Sequence, residues 1–230
     1  MKQKVLMDAL WHIGRVRPEQ VLAPIYGSAW RYRHRARLSV REVAKKGTVL
    51  VGFHEKRSSF IADMKSCEIL PKRVSDLLMP LRELINSLTL RKKIPQIELA
   101  VTDEALALVL RVLEKPTTED EAKLRQFQKD YGVDFWYQPK GPDSIYPMDP
   151  ENANRLKLHH RETGVEVVFR PTDFTQVNHR LNEVMVTRAL RLLDLEPASR
   201  VIDFFCGLGN FTLPLATRTA KVLGIEGSSE

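Results

Sequence analysis

The sequence has few cysteines and no long apolar run. Cys67 and Cys206 are the two cysteines among its 230 residues, and their surroundings differ. This argues against a disulfide scaffold and favours a reduced, cytoplasmic setting. No stretch of about eighteen apolar residues is present, so we predict no membrane-spanning helix. The six histidines lack the spacing of metal ligands, and no serine–histidine–aspartate arrangement stands out.

Positive charge is in excess, and part of it is concentrated in one stretch. The 36 Lys and Arg residues against 29 Asp and Glu give a net charge of +7, which favours a polyanionic partner. In RYRHRARLSV, arginine occupies every second position, so in a strand all four side chains would leave one face. The planar guanidinium fits phosphate oxygens, and we therefore predict nucleic-acid contact; a solvated outer face is the alternative. The predicted RNA-binding residues are Arg31, Arg33, Arg35, Arg37, Lys45 and Lys46.

The pattern of the chain predicts three parts. Residues 1–14 form a helix that could pack on the last part, residues 15–170 form an α+β domain with a mixed sheet, and residues 171–230 begin an α/β domain. Pro80 should kink or divide a helix over residues 74–88. Thr118 and Glu121 have the spacing of a capping box. A long helix is expected from residue 172 to about 193.

A glycine turn near the end of the chain predicts a cofactor site. In VIDFFCGLGNFTLPLA, an apolar strand is followed by Gly207 and Gly209 and then by a helix from Asn210. The next predicted strand ends at Glu226, whose carboxylate could accept hydrogen bonds from two ribose hydroxyls. The dinucleotide fingerprint is incomplete because Thr212 stands where its third glycine would be. This layout, with an acidic residue in the first strand at 203, favours S-adenosylmethionine; a purely structural turn is the alternative.

Longer stretches around this turn resemble one family. DFTQVNHRLNEVMVTRAL, VIDFFCGLGNFTLPLA and VLGIEG, together with WRYRHRARLSV and SCEIL, are similar to the RNA uracil-C5 methyltransferases. The resemblance implies an N-terminal TRAM domain, a central RNA-binding domain and a Rossmann-like methyltransferase domain. It implies S-adenosylmethionine-binding roles for residues 176, 205, 210 and 226, and it makes Cys67 the fourth ligand of a [4Fe-4S] cluster. With the turn, the predicted cofactor-binding residues are Gln176, Asp203, Phe205, Gly207, Gly209, Asn210 and Glu226.

The resemblance also implies which parts of such an enzyme lie outside this chain. In the family a cysteine thiolate adds to C6 of uracil, C5 then accepts the methyl group, and a carboxylate removes the C5 proton. The family's SerCysAsnPro nucleophile and base glutamate would follow Glu230, while the TRAM domain and three cluster cysteines would precede Met1. We therefore expect no catalytic residue, no bound cluster and little activity in the chain alone. Cys206 is expected to be a small packing thiol rather than the nucleophile.

Two classes of function remain open from the sequence. The first is C5-methylation of a uridine in 23S ribosomal RNA, with a transfer RNA as the alternative substrate. The second is a non-catalytic RNA-binding module that retains the cofactor turn. Neither a membrane nor a protein partner is implied, and a cytoplasmic location is expected. Because only two parallel strands are present, we also predict that residues 200–230 are poorly ordered or associated in the isolated chain.

Overall fold

A computed structural model describes residues 2–227, so the last three residues of the predicted third part lie outside the described range. The helices are α1 (Lys2–His12), α2 (Lys72–Ser87), α3 (Thr118–Tyr131), α4 (His179–Leu193) and α5 (Thr212–Ala216). The strands are β1 (Arg35–Val43), β2 (Thr48–Gly52), β3 (Gln96–Val101), β4 (Leu106–Arg111), β5 (Asp134–Gln138), β6 (Tyr146–Pro147), β7 (Lys157–His160), β8 (Val165–Val168), β9 (Arg200–Phe204) and β10 (Lys221–Ile225). No helix within this range is long and apolar enough to cross a bilayer.

A mixed six-stranded sheet organises the first part of the chain, as predicted. Its order is β2-β1-β3-β4-β5-β6, and β4 and β5 run parallel while the other neighbours are antiparallel. Alternate residues of the strands face the helices α2 and α3 and build the main core, with Ile97, Leu99 and Phe135 almost fully buried. The main core of the molecule therefore lies between this sheet and its two helices.

Two local predictions for these helices have different outcomes. Pro80 lies inside α2, which continues to residue 87, so it does not divide the helix, while a kink at Pro80 stays a prediction. The capping box of α3 uses Thr117 and Asp120, one residue earlier than predicted: the Thr117 hydroxyl accepts from the Asp120 N–H and the Asp120 carboxylate accepts from the Thr117 N–H. The same carboxylate also accepts hydrogen bonds from the backbone N–H and the hydroxyl of Thr89. These bonds connect the start of α3 to the segment that follows α2.

The predicted basic strand begins later than expected. β1 starts at Arg35, and Arg31 has a left-handed backbone with φ 60°. Backbone N–H groups of Arg31 and Arg33 donate to the carbonyls of Glu68 and Ile69, outside the main sheet. Arg31 and Arg33 are therefore not in the strand that carries Arg35 and Arg37, and the prediction that all four share one strand face was wrong.

The last part of the chain contains the βαβ unit that the glycine turn predicts. β9 and β10 pair in parallel, and α5 lies between them in the sequence. The helix α4 starts at His179 rather than at residue 172, and α5 starts at Thr212 rather than at Asn210. Apolar side chains on both strands remain exposed, among them Phe204 at 64%. The predicted uncovered faces are therefore present in the structure, while the order of this region in solution stays a prediction.

Candidate cofactor cleft and basic surface

The turn after β9 adopts a conformation that its glycines permit. Gly207 and Gly209 have φ values of 52° and 87°, in the left-handed region that side chains disfavour. A Cβ atom on Gly209 would lie 2.9 Å from the Leu213 side chain, so a larger residue there would displace α5. Both glycines are thus needed for the backbone to turn tightly from the strand into the helix.

A cleft of about 160 Å³ opens beside this turn and collects most of the predicted cofactor residues. Gly209 and Glu226 lie next to the cleft but are not part of its lining. The hairpin β7–β8 of the first part contributes one wall, so the cleft is formed by both parts of the chain. The lining residues are Leu158, Val167, Phe174, Thr175, Gln176, Asp203, Phe205, Cys206, Gly207, Leu208, Asn210 and Phe211.

Glu226 stands at the end of β10, opposite the turn. Its Oε2 accepts a hydrogen bond from the Gly207 N–H at 2.8 Å, and its Oε1 accepts from the Gly227 N–H at 2.8 Å. The parallel pairing of β9 and β10 brings their carboxyl ends together, which explains why the turn and the acidic residue meet. The glycine turn and the end of the second strand are therefore in direct contact.

Two polar contacts brace the cleft, and sequence reasoning missed both. The side-chain amides of Asn182 and Asn210 exchange two hydrogen bonds, at 2.7 and 3.0 Å. The Thr212 hydroxyl donates to Asp203 Oδ2 at 2.6 Å. Asn182 lies on α4, one turn from its start, so the pair links α4 to the cofactor turn across 28 residues of sequence. An asparagine on the buried side of an amphipathic helix was the available signal.

Phe205 has the conformation expected of a residue under functional constraint. It is a non-glycine residue with φ 61°, and its ring is 87% exposed although it borders the cleft. Its backbone is fixed because the N–H groups of Phe205 and Cys206 both donate to the Ile225 carbonyl. A left-handed backbone at a bulky residue costs on the order of 1 kcal/mol, and such strain tends to occur at functional sites.

The basic residues are partly engaged inside the molecule. Arg31 pairs with Glu68 at 2.8 Å, and Arg35 pairs with Glu98 at 2.8 Å while also donating to the Thr172 and Asp173 carbonyls. Arg37 shares Glu98 at 3.2 Å but keeps 65% of its side chain exposed. Lys46 pairs with Asp63, Lys45 is exposed, and the Arg33 Nε atom is buried without a partner. Arg31 and Arg35 therefore contact other parts of the protein. These contacts are separate from the predicted contact with RNA.

A group of histidines lies where the two parts of the chain meet. The rings of His34 and His179 stack with centroids 4.6 Å apart. The backbone N–H of His34 donates to the Val177 carbonyl at 2.7 Å. Burial, together with the positive potential of His34, lowers the pKa of His179 to about 4, although Asp103 opposes this. Burial also lowers the pKa of His160, against the effect of Glu183. The imidazoles of His160 and His179 are therefore neutral at physiological pH and belong to the contact between the parts.

Comparison with known proteins identifies the family. The sequence profile described as tRNA (Uracil-5-)-methyltransferase matches residues 19–229 of the chain. The chain belongs to this family. It is 58% identical over 228 residues to the 23S rRNA (uracil(1939)-C(5))-methyltransferase RlmD of Cupriavidus necator, covering 99% of the chain and 52% of the relative. The corresponding protein of Ralstonia pickettii is 57% identical, with 99% and 50% covered. The chain spans about half the length of the curated relatives it matches.

A solved structure supports the fold. The tRNA (uracil-54, C5)-methyltransferase of Pyrococcus abyssi, crystallised with S-adenosyl-L-homocysteine, superposes with a TM-score of 0.63 over 87% of this chain and 50% of its own. Its sequence identity is 17%, so the likeness concerns the fold. The α/β part with a cofactor turn, inferred from the sequence, is therefore that of the uracil methyltransferase family.

The two cysteines occupy different environments. Cys67 is half-buried against the main core, its N–H donates to the Ser75 hydroxyl at 2.9 Å, and its carbonyl accepts from Arg31. Within residues 2–227 no three His, Cys, Asp or Glu residues are arranged to hold a metal ion. A [4Fe-4S] cluster takes four thiolates, so this chain by itself does not fit one. Cys206 packs over Gly224, where a Cβ atom would come within 2.9 Å of its sulfur, and it also borders the cleft.

Proposed function

We propose that the chain is the central and cofactor-binding portion of an S-adenosylmethionine-dependent enzyme that methylates C5 of a uridine in 23S ribosomal RNA. The observation that carries the proposal is the convergence of Gln176, Asp203, Phe205 and Asn210 on one cleft beside the turn held by Glu226. Family membership and the names of the relatives, all matched over nearly the whole chain, favour this reaction over a generic nucleotide site.

The donor set of the cleft fits S-adenosylmethionine. The carboxylate of Glu226, at the end of the second strand, suits the ribose hydroxyls, and the exposed ring of Phe205 offers a flat apolar surface for the adenine. Asn210, Asp203 and Gln176 provide amide and carboxylate groups for the amino-acid part. When bound, the cofactor supplies an activated methyl group. This chain's own residues would bind and orient it.

The substrate assignment rests on the relatives and on the charge of the chain. Curated relatives at 57% to 58% identity are named as 23S rRNA methyltransferases, whereas the solved neighbour that acts on tRNA is 17% identical. Exposed cations at Arg37 and Lys45 support contact with an RNA backbone. We place the enzyme in the cytoplasm, where ribosomal RNA is modified. Cys67 would serve as a cluster ligand once three further thiolates are supplied from outside this chain.

The experiment is deletion of the gene that encodes this chain, followed by complementation and mass spectrometry of 5-methyluridine in purified 23S rRNA and tRNA. Deletion should remove the nucleoside from one 23S position and leave tRNA unchanged, and the wild-type gene should restore it. Glu226→Gln should restore it at least about tenfold more slowly, because one ionic acceptor for the ribose is lost. Glu196→Gln, which neutralises an exposed carboxylate in the turn before β9, is the matched control. Loss from tRNA would indicate the alternative substrate, and no loss anywhere would favour the non-catalytic RNA-binding module.

A further inference from the structure

The face of the six-stranded sheet that points away from α2 and α3 has two different halves. One half is apolar: Ala100, Ala107, Val109 and Trp136 pack under Leu156 and Phe169, so the segment that includes the hairpin β7–β8 covers them. Towards the opposite ends of the same strands the residues become polar. No helix of the described range packs on that half, since both long helices of this part lie on the other side.

A row of polar residues crosses this second half. The strand registers place Ser39 of β1 opposite Gln96 of β3, Gln96 opposite Arg111 of β4, and Arg111 opposite Gln138 of β5. Directly opposed residues point to the same face, so these four side chains stand side by side across four strands. At about 4.8 Å per strand the row is roughly 14 Å long, and four-stranded RNA-binding sheets hold two or three bases over a similar width.

The two glutamines of this row are available for a ligand, whereas the Ser39 hydroxyl is hydrogen-bonded to His54 at 2.9 Å. Within residues 2–227 the side-chain amides of Gln96 and Gln138 make no hydrogen bond, although Gln138 is only 7% exposed. Each amide offers donors and acceptors in one plane, which suits the edge of a nucleobase. Neither amide is among the buried polar atoms that lack a partner, so both remain accessible to a ligand at the surface of the sheet.

Positive charge flanks the row. Arg41 lies two residues from Ser39 on the same face, and its guanidinium donates to the Ser59 carbonyl at 3.2 Å rather than to a carboxylate. Arg111 likewise donates to a backbone carbonyl, that of Lys140. On the other side of the row stands Arg37, largely exposed, while Glu98 is shared between it and Arg35. The surface therefore carries a net positive charge that the protein does not neutralise.

An exposed aromatic ring borders the same surface. Phe60 is 70% exposed and follows Ser59, the residue whose carbonyl holds Arg41. Its backbone is fixed, because its N–H donates to the Ser58 hydroxyl and its carbonyl accepts from the Glu55 N–H. An aromatic ring held beside arginines is a surface on which an unpaired base can stack.

We propose that Ser39, Gln96, Arg111 and Gln138, flanked by Arg41 and Phe60, form a binding surface for a single-stranded segment of the RNA substrate. The inference rests on the proposed function, since it assumes that the substrate is RNA, and it moves the principal RNA contact from the turn at Lys45 and Lys46 to the polar half of the sheet. The arginines neutralise phosphates, the amides face base edges, and Phe60 stacks on a base.

The test is fluorescence anisotropy of the 230-residue chain with labelled 12-nucleotide single-stranded RNA at several salt concentrations. The double variant R41Q/R111Q should raise Kd at least about tenfold at 0.1 M salt. It should also flatten the plot of log Kd against log salt by about 1.4, since each phosphate contact with a single strand contributes about 0.7. The double variant K72Q/K129Q, on the helical side of the sheet, removes the same charge and should change Kd less than threefold. K45Q/K46Q removes two cations of the predicted RNA contact and should raise Kd, but by less than R41Q/R111Q does.

A second variant tests the stacking contact without altering charge. Phe60→Ala should raise Kd at least about fivefold and leave the salt slope unchanged, because stacking on an aromatic ring is not ionic. Circular dichroism of each variant checks folding. The surface is overturned if R41Q/R111Q binds like K72Q/K129Q, if K45Q/K46Q has the larger effect, or if polyglutamate of equal charge competes as well as RNA. Titration of S-adenosylhomocysteine into the same samples tests the cofactor cleft separately, so failure of the RNA surface is distinguishable from failure of the proposed enzyme.

Discussion

Residues 31–170 and 171–227 differ in how far they bury their own apolar side chains. The first region encloses a continuous core in which Leu99 and Phe135 are almost inaccessible. The second has a small cluster around Val186, Leu190 and Leu215, while Phe205 at the cofactor turn is 87% exposed. The first region therefore has the core of an independent domain, and the second presents surfaces that further structure would cover.

The cofactor cleft lies across the boundary between these regions. Arg35 of the sheet donates to the carbonyls of Thr172 and Asp173, and the hairpin β7–β8 supplies part of the cleft wall. The well-packed region thus holds the segment that carries Gln176, and the sparsely packed region supplies the turn. This arrangement separates residues that stabilise the fold from residues that we propose to bind the cofactor, and the comparison can be tested by mutation.

The largest expected difference is in the free energy of unfolding, when a phenylalanine is replaced by alanine in each of the two regions. Phe135→Ala should lower the free energy of unfolding by about 3–5 kcal/mol, because it leaves a cavity in the main core. Phe205→Ala should change it by less than about 0.5 kcal/mol, since the ring is exposed. Urea denaturation followed by tryptophan fluorescence and circular dichroism measures both.

The pair of variants also separates stability from binding. Phe205→Ala should weaken S-adenosylhomocysteine binding, whereas Phe135→Ala should leave the affinity of the folded fraction unchanged. A loss of several kcal/mol in Phe205→Ala would show that the second region depends on this ring for packing, and the contrast between the regions would be withdrawn.

Local patterns in the sequence predicted those features that depend on neighbouring residues. The mixed sheet, the bounds of α2 to within two residues and the glycine turn followed from periodicity and from Gly207 and Gly209. The start of β1 could not be predicted from neighbouring residues. Arg31 has a left-handed backbone, and its side chain pairs with Glu68, which lies 37 residues away in the sequence. The brace between Asn182 and Asn210 is likewise a tertiary contact, which propensity does not specify.

The next effect concerns that brace. Asn182→Ala should leave the Asn210 amide without its partner and weaken S-adenosylhomocysteine binding about tenfold, measured by titration calorimetry. Asn178→Ala is a matched control on the same helix, because the Asn178 side chain caps α4 by accepting from the Leu181 N–H. The control should lose about 1 kcal/mol of stability and keep its affinity. Equal loss of affinity in both variants would mean that helix stability, rather than the position of Asn210, governs the cleft.

The last effect concerns the histidine contact between the regions and appears as a dependence on pH. The pKa of His179 is lowered to about 4 from an ordinary value of 6.5, chiefly by burial. The unfolded chain therefore binds a proton on this residue between pH 6.5 and 4 while the native chain does not. Stability from this group is fully present above pH 6.5 and falls as the pH is lowered, by about 2 kcal/mol at pH 5.

The charged groups around His179 make the direction of that effect testable. His34 stacks on its ring and opposes protonation, Asp103 favours it, and His160, Arg180 and Glu183 line the same small cavity. His179→Phe keeps a ring for His34 to stack on and removes the titration, so its unfolding free energy should fall less than that of the wild type between pH 7 and pH 5. His12→Phe at the exposed end of α1 should follow the wild type. If the unfolding free energy of His179→Phe falls with pH as that of the wild type does, the contact between the regions opens before His179 is protonated. The histidine stack then contributes nothing to holding the cofactor turn against the sheet.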